Sequence, residues 1–585
     1  MFDGDSLDVE TVALTKKARE LEDTPAATLA QARARADAWR RLEDDPELAA
    51  KRLAADAWCA AFVQPKSAAR GQGITHDMLQ QIVEHPDSVP NIVIATLREM
   101  AQQYRFFHWH LEFPGIFTVP DSGTSAVDAS TGWQGGFACV IGNPPWERVK
   151  IQDKEFFSAA GRNDITEAKT AAIRSRMISA LAVEDPALYD AYRSALRASD
   201  GTSHLLLRSG RYPLTGQGDV NTYSVFAETF RTITAPTGAA GIITPTGLAT
   251  DKTTAPFFAD TLSGSRLAAF YDFENEAKIF PGVHHGFRFA VTAISGIERA
   301  VARTRFAFLT RHLADVPDRR FELAPAEVLS MNPNTGTLPM FRTRTDAEIT
   351  LGIYRRHPVL IRDDATDGNP WGLSFCRMFD MTNDSEMFHL QDNLATIHFN
   401  GWSNEDQHTE YLPLYEAKFL GHFDHRFSTY QNATQAQLNV GSLPRPTDQQ
   451  HDDPGFEPLA RYWVNRTKVT GALAGKWDRA WLLGWRDITK ADQMRTFIPS
   501  VLPLSAAGNS FLLALPSDPG MGVLLHAVWS SLIFDYVARQ KLSGTHMNYF
   551  TAKQVACPTP VTFSGAPPWQ PADTLVLQPE FVMFG

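Results

Sequence analysis

Residues 135–146 read GGFACVIGNPPW, and this stretch decides the fold. Phe137 to Ile141 is an apolar run too short for a helix and long enough for a buried strand. Gly142 ends it, and Asn143, Pro144, Pro145 and Trp146 follow. The two prolines lock two φ angles and remove two amide donors, and they push Asn143 and Pro144 towards extended geometry. The product is a stiff strand-end tip that offers free carbonyls, an amide side chain and an indole. The carboxyl end of a parallel strand is where open α/β sheets place their ligands.

Such a tip suits an exocyclic amine on a nucleobase. The lone pair of that amine is delocalised into the ring, so the nitrogen is a poor nucleophile. An Asn side-chain oxygen and a backbone carbonyl that each accept one N–H draw the nitrogen towards tetrahedral geometry and localise the lone pair. An adjacent aromatic ring stacks on a base turned out of the duplex. The plainer reading of the same four residues is a Pro-rich turn beside a packed Trp, because a motif this short recurs by chance.

GNPPW resembles the catalytic motif of amino-group DNA methyltransferases that use S-adenosylmethionine. The longer run GNPPWERVKIQDKEFF, Gly142 to Phe157, resembles the large adenine methylases of Type IIG restriction-modification and phage-defence systems of the BREX or DISARM type. The resemblance implies that Asn143 and the Pro144 carbonyl hold the adenine amine, with Pro145 stiffening the tip, and that Trp146 stacks on the flipped ring. It implies double-stranded DNA as partner. Cytosine stays open as the target base, since the motif serves either exocyclic amine.

The remaining sequence is read around this tip. Apolar content of 44% and charged content of 21% over 585 residues describe a globular protein. No apolar run reaches the roughly 18 residues of a membrane helix, and the acidic N-terminus is no signal peptide. Cys59, Cys139, Cys376 and Cys557 form no C-x-x-C pair, which points to a reducing cytoplasm and away from zinc. The net charge of −11 speaks against a nucleic-acid partner, but residues 461–560 carry 11 Lys and Arg against 5 Asp and no Glu. A local basic region binds phosphates whatever the total.

Residues 8–62 and 76–104 read as helices, broken at Pro25, Pro46, Pro86 and Pro90. His108 and His110 sit in an aromatic run, where packing is the commoner fate than metal ligation. In GDVNTY, Gly218 to Tyr223, Asp219 or Asn221 can cap the next helix; the resemblance also puts this segment near the tip, as part of a target-base pocket. Residues 238–247, 266–274 and 287–296 are further strands, with a helix over 253–264, giving half of a doubly wound sheet. Phe287 or Phe289 is a candidate for the second face of a base sandwich, with core packing the alternative. Further on, Arg461, Arg466, Lys468, Lys476, Arg479, Arg486, Lys490 and Arg495 are candidate contacts to a DNA backbone. Trp477, Trp481 and Trp485 interleave with them and read as one face of a helix.

The expected architecture is α/β: a partial, doubly wound, Rossmann-like methyltransferase sheet, a helical N-terminal segment, and a mixed α+β target-recognition domain. The expected boundaries are 1–105 for the helical segment, 106–330 for the catalytic domain, 340–560 for target recognition, and 561–585 for a tail. One element is missing. The family's Gly-rich cofactor loop should precede the catalytic strand, yet GQG at Gly71 and DSGTSA at Asp121 follow no apolar strand. The cofactor-binding residues are therefore unassigned, and no metal is expected. The resemblance implies a site-specific adenine N6-methyltransferase whose cofactor half, an N-terminal methylase half or another defence-system subunit, lies outside these residues. The rival is an inactive DNA-binding specificity module; an RNA or protein amine methylase is a third reading. A Glu276-Ala277-Lys278 element with Asp260 upstream is a chance match to a nuclease pattern.

Overall fold

The computed structural model describes residues 10–65, 73–120, 131–394, 398–399, 404–406, 409–439, 441–542 and 544–564. Gly71, Asp121 and the tail from residue 565 lie outside them. The protein is mixed α/β and forms two compact units, Met1–Pro325 and Ala326–Gly585.

In the first unit the helical lead-in is α1 (Val12–Asp23), α2 (Leu29–Glu43), α3 (Pro46–Val63), α4 (His76–Glu84), α5 (Asn91–Tyr104) and the short α6 (Trp109–Glu112). The prolines act as expected at helix borders: Pro46 starts α3, where Asp45 accepts from the Glu47 amide. Thr28 and Gln31 close a capping box on α2. Leu42 and Leu48 are buried together with Leu14 and Leu111. This segment is packed onto the body of the unit. In helix α7 (Pro186–Arg208), Arg197 donates to the Gln64 carbonyl at 3.0 Å, and the backbone at Gly201 passes close to Val63. His108 is buried and bonds Asp56 at 2.8 Å. His110 lies beside Trp133, and burial pushes its pKa down to about 4. Both histidines are packed, and among the described residues no group of His, Cys, Asp and Glu is placed to hold a metal.

The central sheet has six strands: β1 (Phe137–Gly142), β2 (Thr234–Pro245), β3 (Leu267–Glu274), β4 (Arg288–Ser295), β5 (Thr304–Thr310) and β6 (Phe321–Leu323). From one edge to the other the order is β1-β2-β4-β3-β5-β6. β1 runs parallel to β2 and β3 runs parallel to β5; the other pairs are antiparallel. The expected strand at 238–247 starts earlier, because helix α8 (Thr222–Ile233) runs directly into it at Thr234. The strands β5 and β6 were not anticipated. Helix α9 (Ala255–Ser263) lies where the sequence places it.

In the second unit, β7 (Leu373–Cys376), β8 (Trp481–Arg486), β9 (Pro499–Pro503) and β10 (Phe511–Pro516) form an antiparallel sheet in the order β9-β8-β10-β7. Here the expected tryptophan-faced helix is corrected. A short helix α10 (Arg466–Leu473) ends before a turn at Gly475, whose φ is +71°. Trp477 comes just after that turn, whereas Trp481 and Trp485 lie in strand β8. Trp485 is fully buried, and its Nε1 donates to the Met547 carbonyl at 2.6 Å.

Candidate active site

The carboxyl ends of β1, β2 and β3 meet at one end of the central sheet. Gly142 pairs with Ile242, and both Pro245 and Phe273 pair with Phe289. Asp272 organises this end. It is fully buried on β3, and it accepts from Arg288 on β4 at 2.5 Å, from Thr246 after β2 at 2.5 Å and from the Leu309 amide of β5 at 2.9 Å. Four chain segments are thereby fixed around one carboxylate. A buried carboxylate held by one cation and two further donors is well satisfied, and removing one partner would leave the charge uncompensated. Gly142 is required by close approach: a Cβ there would lie 2.9 Å from the Phe230 ring of α8.

Beyond Gly142, Asn143 is exposed, Pro144 buried, Pro145 exposed and Trp146 partly buried. The tip is clamped by the segment before α8. Thr222 Oγ1 lies 2.7 Å from the Pro145 carbonyl and 3.0 Å from the Glu147 carbonyl, and it accepts from the Glu147 amide at 3.0 Å. The Thr222 amide donates to the Glu147 carbonyl at 2.8 Å, and the Val149 amide to the Val220 carbonyl at 3.1 Å. Asn221 caps α8 through the Tyr223 amide and donates to the Trp146 carbonyl at 3.4 Å. It therefore serves as cap and tip contact together. Asp219 forms an exposed ion pair with Arg148 at 3.4 Å, on the outer side of this clamp.

With the clamp engaging Pro145, Trp146 and Glu147, the Asn143 side chain and the Pro144 carbonyl stay free. Among the described residues neither takes part in a hydrogen bond. Two unbonded acceptors on consecutive residues of a proline-stiffened backbone suit an amine with two N–H groups.

Trp146 packs against a core cluster that includes Val140 and Tyr223, and its Nε1 is buried with no partner. Its ring meets Phe280 edge to face, with centroids 6.0 Å apart. Phe280 in turn meets Phe289 at 4.8 Å, and Phe289 stacks on Phe273 at 5.3 Å. Phe289 is 4% exposed and belongs to the core, whereas Phe287 is 58% exposed on the loop. The aromatic partner of Trp146 is thus Phe280, which sequence reasoning missed. Its position is set by Asn275, which is fully buried and accepts from the Phe280 amide while donating to the carbonyls of Phe280 and Val283. Glu276 of the chance nuclease element lies in the same loop and pairs with His285 at 3.0 Å, whereas Asp260 lies on α9 and pairs with Arg231.

Ahead of β1 the described strands are Phe117–Thr118 and Gln134–Gly135, which pair antiparallel with each other; both Gly-containing candidates for an S-adenosylmethionine cradle, at Gly71 and at Asp121, lie outside the described residues. The outer side of β1, where a neighbouring strand would bring one, has no partner among the described residues.

The eight candidate DNA-contacting cations all lie in the second unit, spread over different elements. Arg461 lies over the Tyr462 ring, and Arg466 opens α10 and pairs with Glu410 at 2.6 Å. Arg479 pairs with Asp478 at 3.1 Å, and Lys476 approaches the Cys376 sulfur at 3.9 Å. Arg486 bonds the Ile488 carbonyl at 2.8 Å, and burial lowers its pKa. Lys468 and Lys490 are exposed, and Arg495 is partly buried with its Nη1 unpartnered.

No curated protein matches the chain significantly. Three solved structures share parts of its course. They are the Type IIG restriction endonuclease BpuSI (12% identity, TM-score 0.25, 64% of this chain and 45% of that one); the Type IIL restriction-modification enzyme MmeI in complex with DNA (10%, 0.30, 84% and 54%); and a nuclease-deletion mutant of the Type ISP enzyme LlaGI with a DNA substrate mimic (10%, 0.30, 80% and 36%). The chain spans between 36% and 54% of the length of these proteins, and likeness at such TM-scores carries no argument. The family comparison bears on the site itself: residues 47–174, from α3 through the GNPPW tip, match the model of the Eco57I restriction-modification methylase.

Proposed function

We propose that the chain is the target-holding part of a site-specific, S-adenosylmethionine-dependent DNA adenine N6-methyltransferase of a restriction-modification or phage-defence system, working in the cytoplasm on double-stranded DNA. The observation that carries this reading is the pair of unbonded acceptors, Asn143 Oδ1 and the Pro144 carbonyl, on a clamped strand end beside Trp146. The cofactor supplies an electrophilic methyl group when bound, and its cradle comes from residues outside the described ones. This chain's own part is to accept the two N–H bonds of the flipped base, localise the nitrogen lone pair, and hold the ring against Trp146. No general base is obligatory, because the amine loses its proton after it has reacted. The test is nucleoside mass spectrometry of duplex DNA treated with the chain and its cofactor half. N6-methyladenine is the expected product; N4-methylcytosine would overturn the choice of base, and an RNA or protein product the choice of substrate.

That no cofactor cradle is found among the described residues favours a second reading for the chain on its own, a DNA-binding specificity module. Both readings place duplex DNA on the second unit. The exposed Lys468 and Lys490, with Arg461 and Arg495, are its phosphate contacts. Binding by the full chain should weaken steeply with salt, log K falling against log[salt] with a slope near −0.9 per phosphate contacted. A binding isotherm that does not move between low and moderate salt would contradict it.

A further inference from the structure

Ala50, Ala54 and Ala55 of α3 line, with Leu79 and Val83 of α4 and Leu111 of α6, a cavity of about 690 Å³ in the first unit. None of the three alanine side chains is long enough to fill it. Trp58 and Trp133 form further walls, and with Arg211 they also bound an adjoining hollow of about 280 Å³. A mainly apolar lining with a few placed polar groups is the usual make-up of a small-molecule site of this size. The polar groups here are unspent. His108 bonds Asp56, but its neighbour His110 lines the cavity and makes no hydrogen bond among the described residues. Burial, and then the positive charge of His108, Arg211 and Lys51, holds the His110 ring neutral near pH 7. A neutral imidazole offers one N–H donor and one bare nitrogen. Lys51 and Arg211 also line the cavity, and neither forms an ion pair among the described residues. Of the two carboxylates on the same wall, Glu47 lies 3.8 Å from Lys17 and Glu84 is exposed at the end of α4.

This cavity is separate from the catalytic tip. Trp133 precedes β1, and Ile233, on the wall of the adjoining hollow, precedes β2, so both lie at the amino ends of the strands. Asn143 follows the carboxyl end of β1, and six strand residues at about 3.3 Å each put the two ends roughly 20 Å apart. Open α/β sheets bind their usual ligands at the carboxyl ends instead. We propose that the cavity is a second ligand site, which takes a nucleoside monophosphate: the base packs on Trp58 and Trp133 with its edge on His110, and the phosphate meets Lys51 and Arg211. Each part of the ligand answers a feature of the wall. A base edge presents neighbouring donors and acceptors, as a neutral imidazole does, and its π-face stacks on indole. A phosphate monoester carries about two negative charges near neutral pH, and two unpaired cations match them.

The test is titration calorimetry of the full chain with adenosine monophosphate, with no DNA and no methyl donor present. One-to-one binding is expected, and adenosine or inorganic phosphate alone should bind weaker by about tenfold or more, the loss expected when a charged hydrogen-bonding partner or a stacked base is removed. Lys51→Ala and Arg211→Ala should each weaken the nucleotide by about tenfold while leaving adenosine binding and the melting temperature of the free chain as they were. His110→Phe keeps a ring of similar shape without its nitrogens, and it should weaken nucleotide and adenosine alike. Asn143→Ala should bind the nucleotide like the parent. No binding of the nucleotide, or equal binding by the Lys51 and Arg211 variants, would overturn the proposal. Loss of binding in Asn143→Ala would place the nucleotide at the catalytic tip and overturn it as well. Inorganic phosphate that binds as tightly as the nucleotide, or an aromatic carboxylate such as indole-3-acetate that binds more tightly, would overturn the choice of ligand. Methyl transfer enters none of these readouts, so failure of the methyltransferase reading would leave this site standing.

Discussion

Asn143→Ala is expected to lower methyl transfer by about 10²–10³-fold in the enzyme completed by its cofactor half. That is the size of effect seen when one preorganised hydrogen-bonding group is removed from a reacting centre. The loss should fall on the chemical step rather than on DNA binding, because in the proposed function the tip meets only the flipped base. Stability should change by less than about 0.5 kcal/mol, the usual range for a surface side chain without special contacts; Asn143 is exposed and its side chain makes no hydrogen bond. Asn143→Asp keeps an acceptor oxygen at the same place and should retain more activity than the alanine variant. Single-turnover rates on a duplex oligonucleotide, with melting temperatures alongside, check all three statements. An alanine variant that transfers like the parent would remove Asn143 from the site.

Thr222→Val tests the clamp rather than the contact. Valine has nearly the shape of threonine, so the change deletes only the hydroxyl that bridges the Pro145 and Glu147 carbonyls and receives the Glu147 amide. The expected cost in stability is about 1–2 kcal/mol, because backbone groups are left without their partner. The expected loss in transfer rate is about 10- to 10²-fold, since a displacement on the order of 1 Å at a reacting atom carries a penalty of that size. The two variants are distinguishable. Asn143→Ala should lose rate at unchanged stability, whereas Thr222→Val should lose both. Equal stability and equal rate in Thr222→Val would mean that the prolines alone hold the tip.

What the sequence disclosed follows the range of the interactions involved. The strand β1 and its tip are local: an apolar run, a glycine and two prolines suffice to define them. The clamp is half local. Asn221 is recognisable as a helix cap, but its contact with the Trp146 carbonyl spans 75 residues of chain. The pocket wall was not legible, because Phe280 sits in a loop whose course is set by the buried side chain of Asn275. Nothing in the spacing of Phe280, Phe287 and Phe289 says which of them turns towards Trp146. The tryptophan series failed for a different reason. A spacing of four residues keeps Trp481 and Trp485 on one face of a helix, but it does the same in a strand, whose period of two divides four. The deciding features were elsewhere: the continuous apolar pair Leu482 and Leu483 between them, and Gly475 breaking the chain ahead. The Gly-rich cofactor loop belongs to neither class of failure. Its two candidate segments, at Gly71 and Asp121, lie outside the described residues.

The central claim is that this chain holds the target amine but does not by itself complete the site for the methyl donor. It is tested most directly by incorporation of labelled methyl from S-adenosylmethionine into duplex DNA, measured with the purified chain alone and again with its cofactor half supplied in trans. Background incorporation is expected from the chain alone, transfer to adenine once the cofactor half is present, and return to background when Asn143→Ala replaces the parent in that mixture. Robust incorporation by the chain alone would contradict it, and would show that the cofactor site lies within these 585 residues.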